Sequence, residues 1–219
     1  MEIKAVVFDV DGTLYPNSAM YRRSVLYALK NARFIHNFSK VRKQIREIPL
    51  VKDYHELQGR MLGELIGLST DHAKALIENR IHAWEDQLAG IPFVAGLKSF
   101  LDRLDDAGIP RGLLSDFPID RKIKLVGLSQ GWVCKVSSEE VGFLKPHAKP
   151  FQAVCEAVQL PPENILYVGN SYSYDVVGAK NSGLWAAHLA RKPVKESIAD
   201  VTFRDYFELG EWLFDRIGG

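Results

Sequence analysis

The chain has 219 residues, 47% of them apolar and 25% charged, the balance of an ordinary globular protein rather than a disordered or fibrous one. Its 28 basic and 27 acidic residues leave a net charge of +1, so bulk electrostatics favour neither nucleic acid nor membrane surfaces. No apolar run approaches the roughly 18 residues of a membrane helix. The opening Met1-Glu2-Ile3-Lys4 lacks a signal peptide's long apolar stretch. Two cysteines, Cys134 and Cys155, make neither a disulfide framework nor a zinc site, and the expectation is a cytoplasmic protein without a nucleic-acid or membrane partner.

Lys4 to Val10 (KAVVFDV) is a short β-branched and aromatic run, the pattern of a buried strand. It runs into Asp9-Val10-Asp11-Gly12-Thr13. Two carboxylates two positions apart at a strand end can point the same way. At close range they raise each other's pKa, so the pair calls for a cation or a shared proton. A hard divalent ion such as magnesium suits carboxylate and carbonyl oxygens, and Gly12 permits the sharp backbone departure that follows.

From about Pro16 to Gly90 the pattern is helical and contains no convincing strand. Ser18 is a candidate cap for a helix running to about Phe34, and Asp53-Tyr54-His55-Glu56 has the form of a capping box before a helix ending near Gly67. A further helix from about Thr70 to Leu88 sets Ala73, Leu76, Ile77, Ile81 and Trp84 on one stripe. Such a segment is too long for a βα crossover and is read as an inserted subdomain, hinged near residues 16 and 91. Within it, Lys40, Arg42, Lys43 and Arg46 are expected on a solvated face, with steering of an anionic substrate as the alternative.

After residue 91, apolar strand-like runs alternate with helical patterns. The runs are Arg111 to Asp116, Ile165 to Asn170 and Trp185 to Ala190. The helices are Leu97 to Ala107, Phe151 to Val158 and Asp175 to Ser182. This order implies an α/β fold: a Rossmann-like parallel sheet core, residues 1–15 and 91–219, with an inserted helical cap, residues 16–90. Ligands bind such sheets beyond the strands' carboxyl ends, where Asp9, Asp11, Ser115, Asp116 and Asn170 fall, so the insert should overhang that face. Phe34, Phe38, Trp84, Tyr172 and Tyr174 are expected to be packing or lid contacts, and the six histidines show no metal-ligand spacing.

The motifs resemble those of the haloacid dehalogenase-like hydrolases. The first, Asp-x-Asp-Gly-Thr, matches residues 9–13. The second, an apolar run ending in Ser or Thr, matches Leu113-Leu114-Ser115 with Asp116 following. The third, a Lys before Pro, matches Lys145-Pro146. The fourth, Gly-Asp-x-x-x-x-Asp, matches Gly169-Asn170 through Asp175. The insert after the first motif is similar to the cap of the subgroup containing phosphoglycolate phosphatase and β-phosphoglucomutase.

The resemblance implies a magnesium-dependent phosphatase acting on a small phosphorylated metabolite. Asp9 would attack phosphorus and form an aspartyl-phosphate, while Asp11 would serve as general acid and then general base. Ser115, the N–H of Asp116 and Lys145 would hold the phosphoryl oxygens. Asp9, Asp11 through its main-chain carbonyl, Asn170 and Asp175 would bind the metal. Asn170 departs from the pattern, which usually has a carboxylate there, and weaker metal affinity is expected. Asp11 disfavours a dehalogenase or phosphonate-cleaving enzyme, since the resembling dehalogenases lack that second Asp. A phosphomutase, or a binding or regulatory protein with a weakened metal site, remains an alternative. Specificity would lie in cap side chains, with Lys52, Tyr54, His55 and Arg60 as candidates.

Overall fold

The computed structural model describes residues 2–48, 51, 53–192 and 194–217. Its centre is a six-stranded sheet in which every pairing is parallel. The strands are β1 (Ala5–Phe8), β2 (Arg111–Ser115), β3 (Trp132–Ser137), β4 (Ile165–Gly169), β5 (Trp185–Leu189) and β6 (Val201–Phe203), in the spatial order β3-β2-β1-β4-β5-β6. The molecule is therefore an α/β protein built on a parallel sheet with helices on both faces.

The central strand β1 shows why its sequence is apolar throughout. Alternate residues point to opposite faces. Val6 and Phe8 enter a core with α5 (Leu97–Asp106) and α10 (Tyr206–Ile217), through Phe100, Leu104, Leu209 and Leu213. Ala5 and Val7 enter a second core with Phe151 and Val154 of α8 (Ala148–Val158) and Ala179 of α9 (Val177–Asn181). Two short helices, α6 (Asp120–Val126) and α7 (Ser138–Val141), follow β2 and β3.

Between β1 and α5 lie four α-helices: α1 (Asn17–Lys30), α2 (Ala32–Ile45), α3 (Tyr54–Ile66) and α4 (Thr70–Glu85). The sequence suggested three. The first ends early because Asn31 turns its Nδ2 back onto the Tyr27 carbonyl at 2.8 Å and the chain starts afresh as α2. Ser18 does not cap α1, which begins after Pro16 without a side-chain cap. Asp53 does cap α3, accepting the Glu56 N–H at 2.9 Å, and Gly67 ends it at φ 77°. These helices have a core of their own, Phe38, Val41, Ile45, Tyr54, Leu62 and Ala73, joined by Leu144 from beyond α7. The entering and returning chains are tied where Val94 N–H donates to the Leu14 carbonyl at 3.0 Å.

Among the described residues, no helix is long and apolar enough to cross a membrane.

Candidate active site

The carboxyl ends of β1, β2 and β4 open onto one small pocket lined by Asp9, Asp11, Ser115, Asp116, Lys145, Asn170 and Asp175, all seven residues singled out in the sequence. Two glycines make the convergence possible. A Cβ at Gly12, whose φ is 86°, would lie 2.3 Å from Asn170 Nδ2. A Cβ at Gly169 would lie 2.5 Å from the Asp175 carboxyl carbon, so only a glycine lets Asp175 fold back under the strand end. Asp175 is carried there by a wide π-helical turn, Tyr172–Val176, and its Oδ2 accepts the Ser171 N–H at 2.9 Å.

Asp9 extends the β1 ladder, its N–H donating to the Val168 carbonyl at 2.8 Å. Its Oδ1 receives Lys145 Nζ at 2.8 Å, and its Oδ2 receives the Thr13 hydroxyl at 2.9 Å. The same Lys145 ammonium reaches Asp175 Oδ1 at 2.6 Å and the Tyr167 hydroxyl at 3.0 Å. Asp9, Lys145 and Asp175 are all buried, at 6%, 3% and 1% exposure. Burial pushes the Asp9 carboxyl up to about 7; Lys145 pulls it down, while Asp175 and Asp11 push it further up. Burial works against the Lys145 ammonium, yet Asp175 and Asp9 hold its pKa well above the ordinary lysine range.

Asp11 sits on a different clamp. Lys122 Nζ meets its Oδ2 at 2.6 Å and the Tyr15 hydroxyl donates to its Oδ1. Lys122 is 0% exposed, with its ammonium 5.2 Å from the Trp84 ring centre and 5.1 Å from that of Phe117. The sequence reading missed this lysine. The signal was present: Lys122 stands on the same stripe as Ile123 and Val126, both buried, so a lysine occupies the core face of α6. Tyr15 and Tyr167 were also missed, since a tyrosine in an apolar run reads simply as core.

Ser115 is buried and its Oγ accepts the Phe117 N–H at 3.2 Å, which leaves the hydroxyl hydrogen available to a ligand. Asp116 is committed to the protein. Its Oδ1 accepts the Lys145 N–H at 3.0 Å and its Oδ2 pairs with Arg46. Burial would raise the Asp116 carboxyl, but Lys145, Arg42 and Arg46 hold it below the usual carboxylate range. The expectation of a solvated basic face on α2 is therefore corrected for half its members. Lys40 and Lys43 are exposed, but Arg42 is buried, pairs with Glu139, donates to the Asp116 carbonyl at 3.1 Å and lies 3.9 Å over the Phe117 ring. Arg46 is half-buried and stacks 4.4 Å over Tyr174, which lines the pocket. These arginines fasten the helical insert to the site. Of the specificity candidates, Tyr54 is buried near Arg42, His55 and Arg60 are exposed, and Lys52 lies outside the described residues.

The donor set fits a hard cation. Thr13 Oγ1 stands 2.9 Å from Asp9 Oδ2 and 3.4 Å from Asn170 Oδ1, one hydroxyl hydrogen between two acceptors. Asp175 adds further oxygen in the same pocket. Among the described residues no three His, Cys, Asp or Glu side chains form a metal cluster by themselves, so the Asn170 carbonyl and main-chain oxygen would have to share the coordination.

A family model of haloacid dehalogenase-like hydrolases matches residues 3–183. The chain belongs to this family. It is 28% identical to a glyceraldehyde 3-phosphate phosphatase of Methanopyrus kandleri, over 86% of this chain and 84% of that one. It is 27% identical to a phosphoglycolate phosphatase of Rhodospirillum rubrum, over 99% and 93% of the two chains. A solved 2-haloacid dehalogenase of Pseudomonas syringae pv. Tomato superposes with a TM-score of 0.70 at 19% identity, covering 98% of this chain and 99% of that one. That last likeness speaks to the fold.

Proposed function

We propose that this member of the haloacid dehalogenase-like hydrolases is a magnesium-dependent phosphatase of small phosphomonoesters, working through an aspartyl-phosphate on Asp9. The observation that carries the reading is the division of labour between two carboxylates in one pocket. Asp9 is buried against a fixed cation, while Asp11 is held separately by Lys122 and Tyr15. Two carboxylates in different environments suit two chemical roles. The names of the phosphatase relatives support the same assignment.

In this scheme an Asp9 oxygen attacks phosphorus while the bond to the leaving oxygen breaks. Asp11 delivers a proton to that oxygen, then takes one from the water that cleaves the acyl phosphate. Ser115 donates its free hydroxyl hydrogen, Asp116 its main-chain N–H, and Lys145 its fixed charge to the phosphoryl oxygens. Magnesium, held by Asp9, the Asp11 carbonyl, Asn170 and Asp175, would neutralise charge between the carboxylates and the phosphate dianion. The helical insert, residues 16–90, is the cap that shields this chemistry from water, and the core is residues 1–15 and 91–219. The same proposal places the protein in the cytoplasm, in keeping with its two free cysteines.

One observation favours a second reading. Asn170 brings no charge to the metal site, as expected of a binding or regulatory protein on this fold. Hydrolysis of p-nitrophenyl phosphate decides between them. The phosphatase turns it over with magnesium, loses activity in EDTA, and loses it by at least about a thousandfold in Asp9→Asn. Activity surviving in Asp9→Asn would discard the proposed nucleophile; no turnover with magnesium or manganese would favour the binding protein.

A further inference from the structure

The catalytic pocket has a volume of about 160 Å³, below the roughly 300 Å³ at which ligand pockets begin, so it suits a phosphoryl group and little more. The remainder of a substrate must leave it somewhere. Two of its lining residues, Tyr174 and Asp116, are bound together by Arg46, which stacks on the first and pairs with the second. On one side stands Phe117, and behind it is a second cavity of about 410 Å³ between the cap and the core. Among the described residues, Phe117 alone lines both spaces.

The larger cavity has apolar walls. Phe38 of α2, Ile77 and Ile81 of α4, and Phe117 form them, and all four belong to the cap's own hydrophobic cluster. Of the charged groups that line it, Glu139 is buried against Arg42, and Lys74, partly exposed, meets Glu56 at 2.9 Å. Glu78, His55 and His82 stand on the exposed rim. Lys74 is the one lysine or arginine that lines this space among the described residues, so a second phosphate or a carboxylate would meet little fixed positive charge there. Its surface suits carbon.

We propose that this cavity receives the organic body of the phosphomonoester, and that the body is apolar and ring-sized. The inference rests on the phosphatase reading and deepens it, since the named relatives act on glyceraldehyde 3-phosphate and phosphoglycolate, which are small and polar.

The test compares kcat/KM for 2-phenylethyl phosphate and ethyl phosphate, whose leaving groups are both primary alcohols of similar reactivity. The wild-type protein with magnesium favours the phenylethyl ester by at least about tenfold, mainly through KM, the effect of burying a ring in an apolar site. Ala75→Trp, at an exposed α4 position on the cavity wall, fills the space and brings the ratio to within about twofold of unity. Both esters are read on the same preparation, so any loss of folded protein cancels. A wild-type ratio near unity, or one unchanged in Ala75→Trp, overturns the cavity assignment and leaves the phosphatase reading standing. Turnover of neither ester counts against the phosphatase reading, and this proposal falls with it.

Discussion

The two sides of the site solve one problem in different ways. Each places a buried lysine against an aspartate of the first motif. Lys145 is shared between Asp9, Asp175 and Tyr167, so its single charge faces two carboxylates that are themselves buried. Lys122 faces Asp11, whose side chain is 22% exposed, and is otherwise enclosed by the rings of Trp84 and Phe117. On the first side the cation is outnumbered, and the resulting negative excess is what a divalent ion would offset. On the second side charge is matched one to one and the aromatic rings come from the insert and the loop after β2. The environment of the proposed nucleophile is thus built wholly by residues around the sheet, whereas that of the proposed acid also depends on the helical insert.

The largest effect is expected at Lys145. Replacing it with Met leaves two buried carboxylates without their counter-charge, which costs about 3–5 kcal/mol of stability in metal-free protein. Chemical denaturation in EDTA measures this directly; a loss under about 1 kcal/mol would show that the three-way ion pair is not a structural necessity. Turnover should fall as well, since the phosphoryl oxygens lose their fixed cation.

Lys122→Met should cost less, about 1–3 kcal/mol, because Asp11 keeps the Tyr15 hydroxyl and some access to water. Its kinetic effect should depend on the leaving group. An alkyl phosphate needs the proton that Asp11, on the proposed mechanism, would deliver, and kcat/KM for ethyl phosphate should fall by about a hundredfold. p-Nitrophenolate leaves without help, so the fall for p-nitrophenyl phosphate should stay under about tenfold. Equal losses on both substrates would mean that Lys122 merely supports the fold.

The same contrast explains what could be read from the sequence. Lys145, Asp9, Asp11, Ser115 and Asp175 lie at strand ends or beside loops, where polar residues interrupt apolar runs and stand out. Lys122 and Arg42 lie within helices rich in charge, where one buried cation looks like its exposed neighbours until its helical face is checked. Strand legibility follows burial in a similar way. β1, β2, β4 and β5 are sandwiched between helices and appear as continuous apolar runs. The edge strands β3 and β6 went unread. β3 alternates, with Val133 and Lys135 exposed and Cys134 buried, and β6 is only three residues long. The break between α1 and α2 was hidden because Asn31 acts through a local hydrogen bond, without glycine or proline to announce it.

The smallest expected effect isolates the charge excess at Asp9. Its carboxyl is pushed up from the ordinary 3.8 to about 7, so the folded protein keeps a proton there that the unfolded chain has released. Stability from this source is present below about pH 4 and is lost as pH rises through 7. Asp116 works in the opposite sense, its contribution lost only in acid, and His188, lowered by burial, destabilises the fold as pH falls through the histidine range. Comparing the wild-type protein with Asp9→Asn cancels both. In EDTA, Asp9→Asn gains about 2 kcal/mol on the wild type between about pH 5.5 and pH 8, about 5 °C in unfolding temperature for a chain of this size. A gap independent of pH would mean that Lys145 fully compensates Asp9. Magnesium at pH 8 should raise the wild type toward the variant, because a cation on the ionised carboxylate removes the excess that the lysine leaves unbalanced.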